Sequence, residues 1–219
     1  MEIKVLKNVM QKNSAIGNDN RDVFHQKGVY TINLTSSPGA GKTTLLENSL
    51  PELMKSLNIA IIEGDPYTTR DAERLAHLNL PTIQVNTEGG CHLDAQMISQ
   101  AIGELDLDNI DLCVIENVGN LVCPAAFDLG ETLRVMVYSI TEGADKPKKY
   151  YNMFQGSHVI LINKVELAEL CNIDLEATYQ EVREINPTCK IFQISATRPE
   201  TLIEWNSWLA HTVKKAICQ

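Results

Sequence analysis

No stretch of this 219-residue chain approaches the roughly 18 uninterrupted apolar residues of a membrane span. The first residues, Met1-Glu2-Ile3-Lys4-Val5-Leu6-Lys7, are charged too often for a signal peptide, so a cytoplasmic protein with no membrane partner is expected. Positive charge is scarce: Lys and Arg total 19 against 28 Asp and Glu, a formal net charge of −9. No basic cluster stands out to offset phosphate repulsion, which argues against a nucleic-acid partner. The six cysteines, Cys91, Cys113, Cys123, Cys171, Cys189 and Cys218, form no disulfide framework, and none precedes Cys91. In a reducing compartment they stay thiols, with metal binding or burial as their fates. Aromatic residues make up only 5%, yet 44% of the chain is hydrophobic, enough to bury the core of one domain over 1–219.

Apolar strand-like runs alternate with amphipathic ones. Strands are expected at Val29 to Leu34, Ile59 to Ile62, Thr82 to Val85, Leu112 to Ile115, Val135 to Ile140, Val159 to Ile162 and Ile191 to Ile194. Helices are expected at Thr44 to Leu57, Asp71 to Leu78, Leu93 to Leu105, Leu175 to Ile185 and Thr201 to Lys215. This order implies an α/β fold, a mostly parallel sheet of about seven strands flanked by helices on right-handed crossovers. Within the N-terminal segment 1–28, Lys4 to Phe24 reads as a further helix, with Leu6, Val9, Met10 and Ile16 as a short packing stripe. The non-periodic stretches Gly64 to Arg70, Asn117 to Glu131 and Glu142 to Lys149 follow strand ends, where such sheets bind ligands.

The first of those strands leads into Ser36-Ser37-Pro38-Gly39-Ala40-Gly41-Lys42-Thr43 and a helix-compatible run beginning at Thr44. Strand, glycine loop and helix in this order make a phosphate-binding P-loop. Backbone N–H groups from Gly39 to Thr44 surround a β-phosphate, the helix N-terminus adds partial positive charge, Lys42 reaches the β- and γ-phosphates, and the Thr43 hydroxyl ligates Mg²⁺. Ser36 stands where the general pattern begins with glycine, so the signature rests on Gly39, Gly41, Lys42 and Thr43.

Two further strand ends carry acids. Glu63-Gly64-Asp65 closes the second strand, and Glu116-Asn117-Val118-Gly119 closes the Leu112 to Ile115 strand. Glu116 and Gly119 have the spacing of a D-x-x-G element with Glu for Asp, suited to orient Mg²⁺ and to sense a γ-phosphate; Asp65 is a second metal-side candidate. Lys42, Asp65 and Glu116 are thus the candidate catalytic set. Asn163-Lys164-Val165-Glu166 resembles the N-K-x-D element of GTPases, whose carboxylate accepts from guanine N1–H and the exocyclic amine. Glu166 changes the reach by one methylene. Ser195-Ala196-Thr197 matches the S-A-x element that supports the base.

A second chemistry is suggested by Gly89-Gly90-Cys91-His92-Leu93-Asp94-Ala95 and by Cys123-Pro124. The spacing places Cys91 at a helix N-terminus, where the dipole favours thiolate, and thiolate with imidazole suits Ni²⁺ or Zn²⁺. A buried cysteine beside an ordinary polar histidine is the alternative. Three ligands leave a shell open unless water or a second copy of the chain completes it. Cys113, inside an apolar strand, reads as core.

Taken together, the P-loop, Glu63-Gly64-Asp65, Asp71-Ala72-Glu73-Arg74, Cys91-His92-Leu93-Asp94-Ala95, the run Glu116 to Ala125, Phe127-Asp128-Leu129-Gly130 and Asn163-Lys164 resemble the HypB family of hydrogenase nickel-incorporation GTPases. The resemblance spans nearly the whole chain, and E-N-V-G-N-L-V-C-P with C-H-L-D-A discriminates far better than the P-loop. It implies a homodimeric GTPase metallochaperone using GTP and Mg²⁺, working with a HypA-type nickel chaperone on the hydrogenase large subunit. By the same resemblance, Cys91, His92 and Cys123 would bind Ni²⁺, with Zn²⁺ possible at the same site. An N-terminal cysteine motif or histidine-rich segment, present in some members, is missing before Cys91. The alternatives are a GTPase chaperone for another metalloenzyme such as urease, disfavoured by those two blocks, and a nucleotide-gated dimerisation switch with negligible turnover.

Overall fold

A computed structural model describes residues 7–143 and 145–218. Seven strands, β1 (Tyr30–Ser36), β2 (Ile59–Asp65), β3 (Thr82–Asn86), β4 (Leu112–Glu116), β5 (Leu133–Ser139), β6 (Val159–Asn163) and β7 (Lys190–Gln193), form one sheet in the order β3-β2-β4-β1-β5-β6-β7. Every pairing is parallel. Each strand falls where the apolar runs place it. Several run on by a residue or more at the carboxyl end, carrying Ser36, Asp65, Glu116 and Asn163 into the ladder at its functional rim.

Burial on both faces explains the near-continuous apolar strands. On one face, Ile32, Leu34, Ile59, Ile61, Val135 and Val137 meet α2 (Lys42–Leu53) and α8 (Ile203–Ile217) through Leu45, Leu50, Trp205 and Leu209. On the other, Ala60, Ile62, Cys113 and Ile115 meet α1 (Lys7–Gln26) and α4 (Ala95–Gly103), while α3 (Arg70–Leu75) lies on the first face beside α2, with Leu75 in its core. Burial raises the Cys113 thiol to about 12, as befits a core residue. Farther along, Met136, Tyr138, Ile160 and Ile162 pack with α6 (Tyr151–Gly156) and α7 (Leu175–Ile185). α6 and the one-turn α5 (Lys146–Lys149) occupy the end of the expected Glu142 to Lys149 loop and the residues just beyond it. α5 brings Lys146, Lys148 and Lys149 together in one turn.

Between the second and third apolar groups lies a polar seam. Asn33 donates to Glu131 Oε1 at 3.2 Å, and Asn117 Nδ2 donates to Asn33 Oδ1 at 3.1 Å. Glu131 also holds Arg134, whose guanidinium reaches the carbonyls of Ala125 and Phe127, both at 3.0 Å. Each of these four side chains is buried, and each is satisfied by the next.

The inward face of α1 differs from the expected stripe. Val9 is 57% exposed, and Met10 and Ile16 are half-buried, while the buried positions are Asn13, Gly17, Asn20 and Phe24. Leu6 and the first turn of the expected helix lie outside the described residues. A helix face of small and amide residues packs closely and hydrogen-bonds to loops, which an apolar-periodicity reading does not register.

Candidate nucleotide and metal sites

The carboxyl ends of β1, β2 and β4 surround a cavity of about 440 Å³ lined by Pro38, Gly39, Gly41, Lys42, Thr43, Thr44, Asp65, Asp71, Arg74 and Gly119. The chain enters α2 directly from Gly41, whose φ of 102° only glycine adopts without strain. Lys42 Nζ rests 3.1 Å from Ser36 Oγ, so the serine in place of the leading glycine holds the lysine. Thr43 Oγ1 donates to Glu116 Oε1 at 2.8 Å, joining the hydroxyl and carboxylate expected on the metal side.

Glu116 lies beside Glu63 across the β2–β4 ladder. Glu63 is 1% exposed, and burial next to Glu116 lifts its carboxyl to about 8. Burial also raises Glu116, against the opposing pull of Lys42 and Thr43. One oxygen of each, Glu63 Oε2 and Glu116 Oε2, is buried without a hydrogen-bond partner. Carboxylate oxygens of Glu63, Asp65 and Asp71 lie within 4.8 Å of one another. Orphaned buried carboxylates beside a hydroxyl fit a hard divalent cation such as Mg²⁺. Asp65 also accepts the backbone N–H groups of Tyr67, at 2.8 Å, and Thr68, and so braces its own turn. Glu63 and Asp71 join Asp65 here through the fold, with no motif spacing to mark them. Arg74 closes the far wall, bonded to Glu47 Oε1 at 2.9 Å and Thr44 Oγ1 at 3.0 Å.

The base-side elements converge on the P-loop. Asn163 Nδ2 donates to the Ala40 carbonyl at 2.8 Å, and its Oδ1 accepts from Ala196 N at 2.9 Å, tying P-loop, N-K-x-E and S-A-x elements together. Lys164, at φ 65°, extends Nζ to the Gly39 carbonyl at 2.7 Å. Glu166 follows in a 3-10 turn, its Oε2 buried and unpaired. Ser195 is fully buried, with its N–H on Thr201 Oγ1 at 2.9 Å.

Cys91, His92 and Cys123 gather as well. Their ligand atoms lie within 4.8 Å of one another; Cys91 Sγ is 2.8 Å from Cys123 Sγ and 3.5 Å from His92 Nδ1. The Cys91 thiol raises that of Cys123, and burial lowers His92 against the opposing pull of Asp94, a shift toward the neutral imidazole that can coordinate. The His92 ring packs on Phe127, centroids 3.9 Å apart. Cys91 does not stand at the helix N-terminus expected for it: α4 begins at Ala95, and Asp94 caps it by accepting from Met97 N at 2.8 Å. Cys91 sits in the preceding loop, and a carboxylate occupies the positive end of the dipole. Exposed Val122 and Tyr67 flank this side of the molecule, the first adjoining Cys123.

The two groups share a wall. Leu93 N donates to Asn117 Oδ1 at 3.1 Å, and fully buried Leu93 packs on Gly64, where a β-carbon would fall 2.7 Å from its Cγ.

A parallel sheet with a P-loop at its central strand, acids on the neighbouring strand ends and an N-K element defines a P-loop nucleotide-binding protein. Residues 30–193 match the model of the CobW/HypB/UreG nucleotide-binding domain. A hydrogenase maturation factor HypB from Escherichia coli is 48% identical over 209 residues, 95% of this chain and 71% of its own length. The crystal structure of HypB from Helicobacter pylori in complex with nickel superposes with a TM-score of 0.88 at 34% identity, covering 93% of this chain and 96% of that one. HypB from Archaeoglobus fulgidus gives 0.86 at 33% identity, covering 93% and 99%. The chain belongs to the HypB family of hydrogenase maturation factors.

Proposed function

We propose that this maturation factor is a cytoplasmic, homodimeric GTPase that carries Ni²⁺ to the large subunit of nickel–iron hydrogenase, alongside a HypA-type nickel chaperone. The observation that carries this reading is the gathering of Cys91, His92 and Cys123 within 4.8 Å, in loops that leave the same sheet rim as the P-loop. The nickel complex of the Helicobacter pylori relative supports the choice of cargo.

Backbone N–H groups from Gly39 to Thr44, with the α2 N-terminus, cradle the phosphates, and Lys42 neutralises charge developing at the β–γ bridge. Thr43, Asp65 and Glu116 hold Mg²⁺, with Glu63 and Asp71 in reach. When bound, Mg²⁺ offsets phosphate charge. Gly119 faces the γ-phosphate. Asn163 holds the P-loop and the Ser195-Ala196 segment in register, Lys164 covers the base, and Glu166 accepts from guanine donors that adenine lacks. Soft thiolates from Cys91 and Cys123 with neutral His92 suit Ni²⁺, and Zn²⁺ competes for the same atoms. Three ligands leave the shell open, and a second copy across a twofold axis, on the side carrying Val122 and Tyr67, completes it.

Equilibrium dialysis of wild type and Cys123→Ala against Ni²⁺, with phosphate release from GTP and ATP, tests this. Stoichiometric Ni²⁺ lost in Cys123→Ala, together with turnover of GTP over ATP, is expected. A folded Cys123→Ala protein with full stoichiometry, or equal use of ATP, overturns it.

A further inference from the structure

Asn13 and Asn20 stand two helical turns apart on one face of α1, and each bridges the two metal-bearing loops. Asn13 Oδ1 accepts from Ala95 N at 2.8 Å, while its Nδ2 donates to the Asp128 carbonyl at 2.8 Å. Asn20 Nδ2 donates to the Ala95 carbonyl at 2.8 Å and to the Leu129 carbonyl at 3.1 Å. Ala95 lies three residues beyond His92, and Asp128 five beyond Cys123. Both backbone groups of Ala95 are therefore held by the same helix that holds the end of the Cys123 loop. Between the asparagines, Gly17 lets the loop lie against the helix: a β-carbon there would stand 2.9 Å from the Asp128 carbonyl oxygen. Arg21, one residue beyond Asn20, pairs with both Asp128 carboxylate oxygens, at 2.7 and 2.8 Å. Asn13 is 7% and Asn20 3% exposed, so these bonds exchange little with water.

We infer that the Asn13, Gly17 and Asn20 face of α1 is a clasp that sets the separation of Cys91 and His92 from Cys123. It acts through the loops and not by touching the cargo, so these are positioning residues. The inference rests on reading the three ligands as a metal site, but the geometry it assigns exists without metal. A side chain that fixes a ligand loop through both ends tunes affinity as outer-shell hydrogen bonds do, by about 10- to 100-fold in other metal sites.

The test uses the full chain with exposed Cys171 and Cys218 changed to Ser. Dibromobimane, fluorescent once both its bromomethyl carbons have alkylated thiols, reads the proximity of Cys91 and Cys123 in the apo protein. Competition with a chromophoric chelator reads Ni²⁺ affinity, and the thiolate-to-Ni²⁺ charge-transfer band reads coordination. Asn13→Ala with Asn20→Ala is expected to slow cross-linking several-fold, weaken Ni²⁺ about 10-fold or more and shift the band, with nucleotide affinity unchanged. Should that double variant fail to bind nucleotide, Asn20→Ala alone, which leaves Asn13 bonded to Ala95 N and to the Asp128 carbonyl, is expected to give a smaller change of the same sign. Unaltered cross-linking, affinity and band in a folded variant overturn the clasp. A parent protein that takes up no Ni²⁺ removes the metal reading alone, since cross-linking still decides the geometry.

Discussion

Asn117 Oδ1 accepts the backbone N–H of Leu93 at 3.1 Å, joining the segment that follows Glu116 to the loop that carries Cys91 and His92. The same oxygen takes Val118 N at 2.9 Å, and the amide nitrogen donates to Asn33 on β1, three residues before the P-loop serine. A shift of Val118 and Gly119 is therefore felt at Leu93. Asn117→Ala leaves two buried N–H groups unpaired and is expected to lower stability by about 1–3 kcal/mol. Nucleotide and Ni²⁺ still bind, each less responsive to the other. Chemical denaturation reads the first effect and paired titrations the second; an Asn117→Ala protein with undiminished coupling would show that the bond only braces the fold.

Lys42→Ala and Thr43→Ala are each expected to cut GTP hydrolysis by several orders of magnitude, with the circular dichroism of the fold retained. Lys42 bonds to Ser36 Oγ and opposes the rise of the Glu116 carboxyl, so its removal favours a protonated Glu116 and leaves the backbone of the loop in place. Phosphate release is the measurement, and normal turnover in Lys42→Ala excludes the phosphate role.

Glu166 keeps one oxygen buried and unpaired, a vacancy guanine donors can fill. Glu166→Ala is expected to erase most of the preference for GTP over ATP, read by competition against a labelled nucleotide. Preference retained in full would move base recognition to the Ser195 loop.

Glu63 gives the apo protein a pH signature. Its carboxyl is raised from 4.5 to about 8, so between those values the folded state keeps a proton that the unfolded chain has released. Its stabilising contribution is complete below 4.5, declines as pH rises to about 8, and is constant above, with a slope of at most about 1.4 kcal/mol per pH unit. In chelator, denaturation of wild type minus Glu63→Gln should follow that decline. A difference flat from pH 5 to pH 8 contradicts a buried neutral Glu63.

The sheet was legible because its strands are buried on both faces and so read as apolar runs; the P-loop and the Cys91, His92 and Cys123 set were legible as motifs. The α4 start was missed by two residues, since apolar Leu93 looks helical, although Asp94, an acid three residues before Met97, is the cap signal that would have corrected it. Glu63 was passed over because burial, not residue type, gives it its chemistry. The inward face of α1 was illegible for the opposite reason: asparagine and glycine on a helix suggest solvent until the loops they hold are in place.

Nucleotide and cargo metal are expected to bind to one coupled unit. Titrating Ni²⁺ into the protein with and without a non-hydrolysable GTP analogue, then the analogue with and without Ni²⁺, measures that coupling from both ends. Linkage requires the two affinity ratios to be equal, and about 5- to 150-fold is expected. Ratios of one in both directions, at full occupancy of both ligands, would show two independent sites.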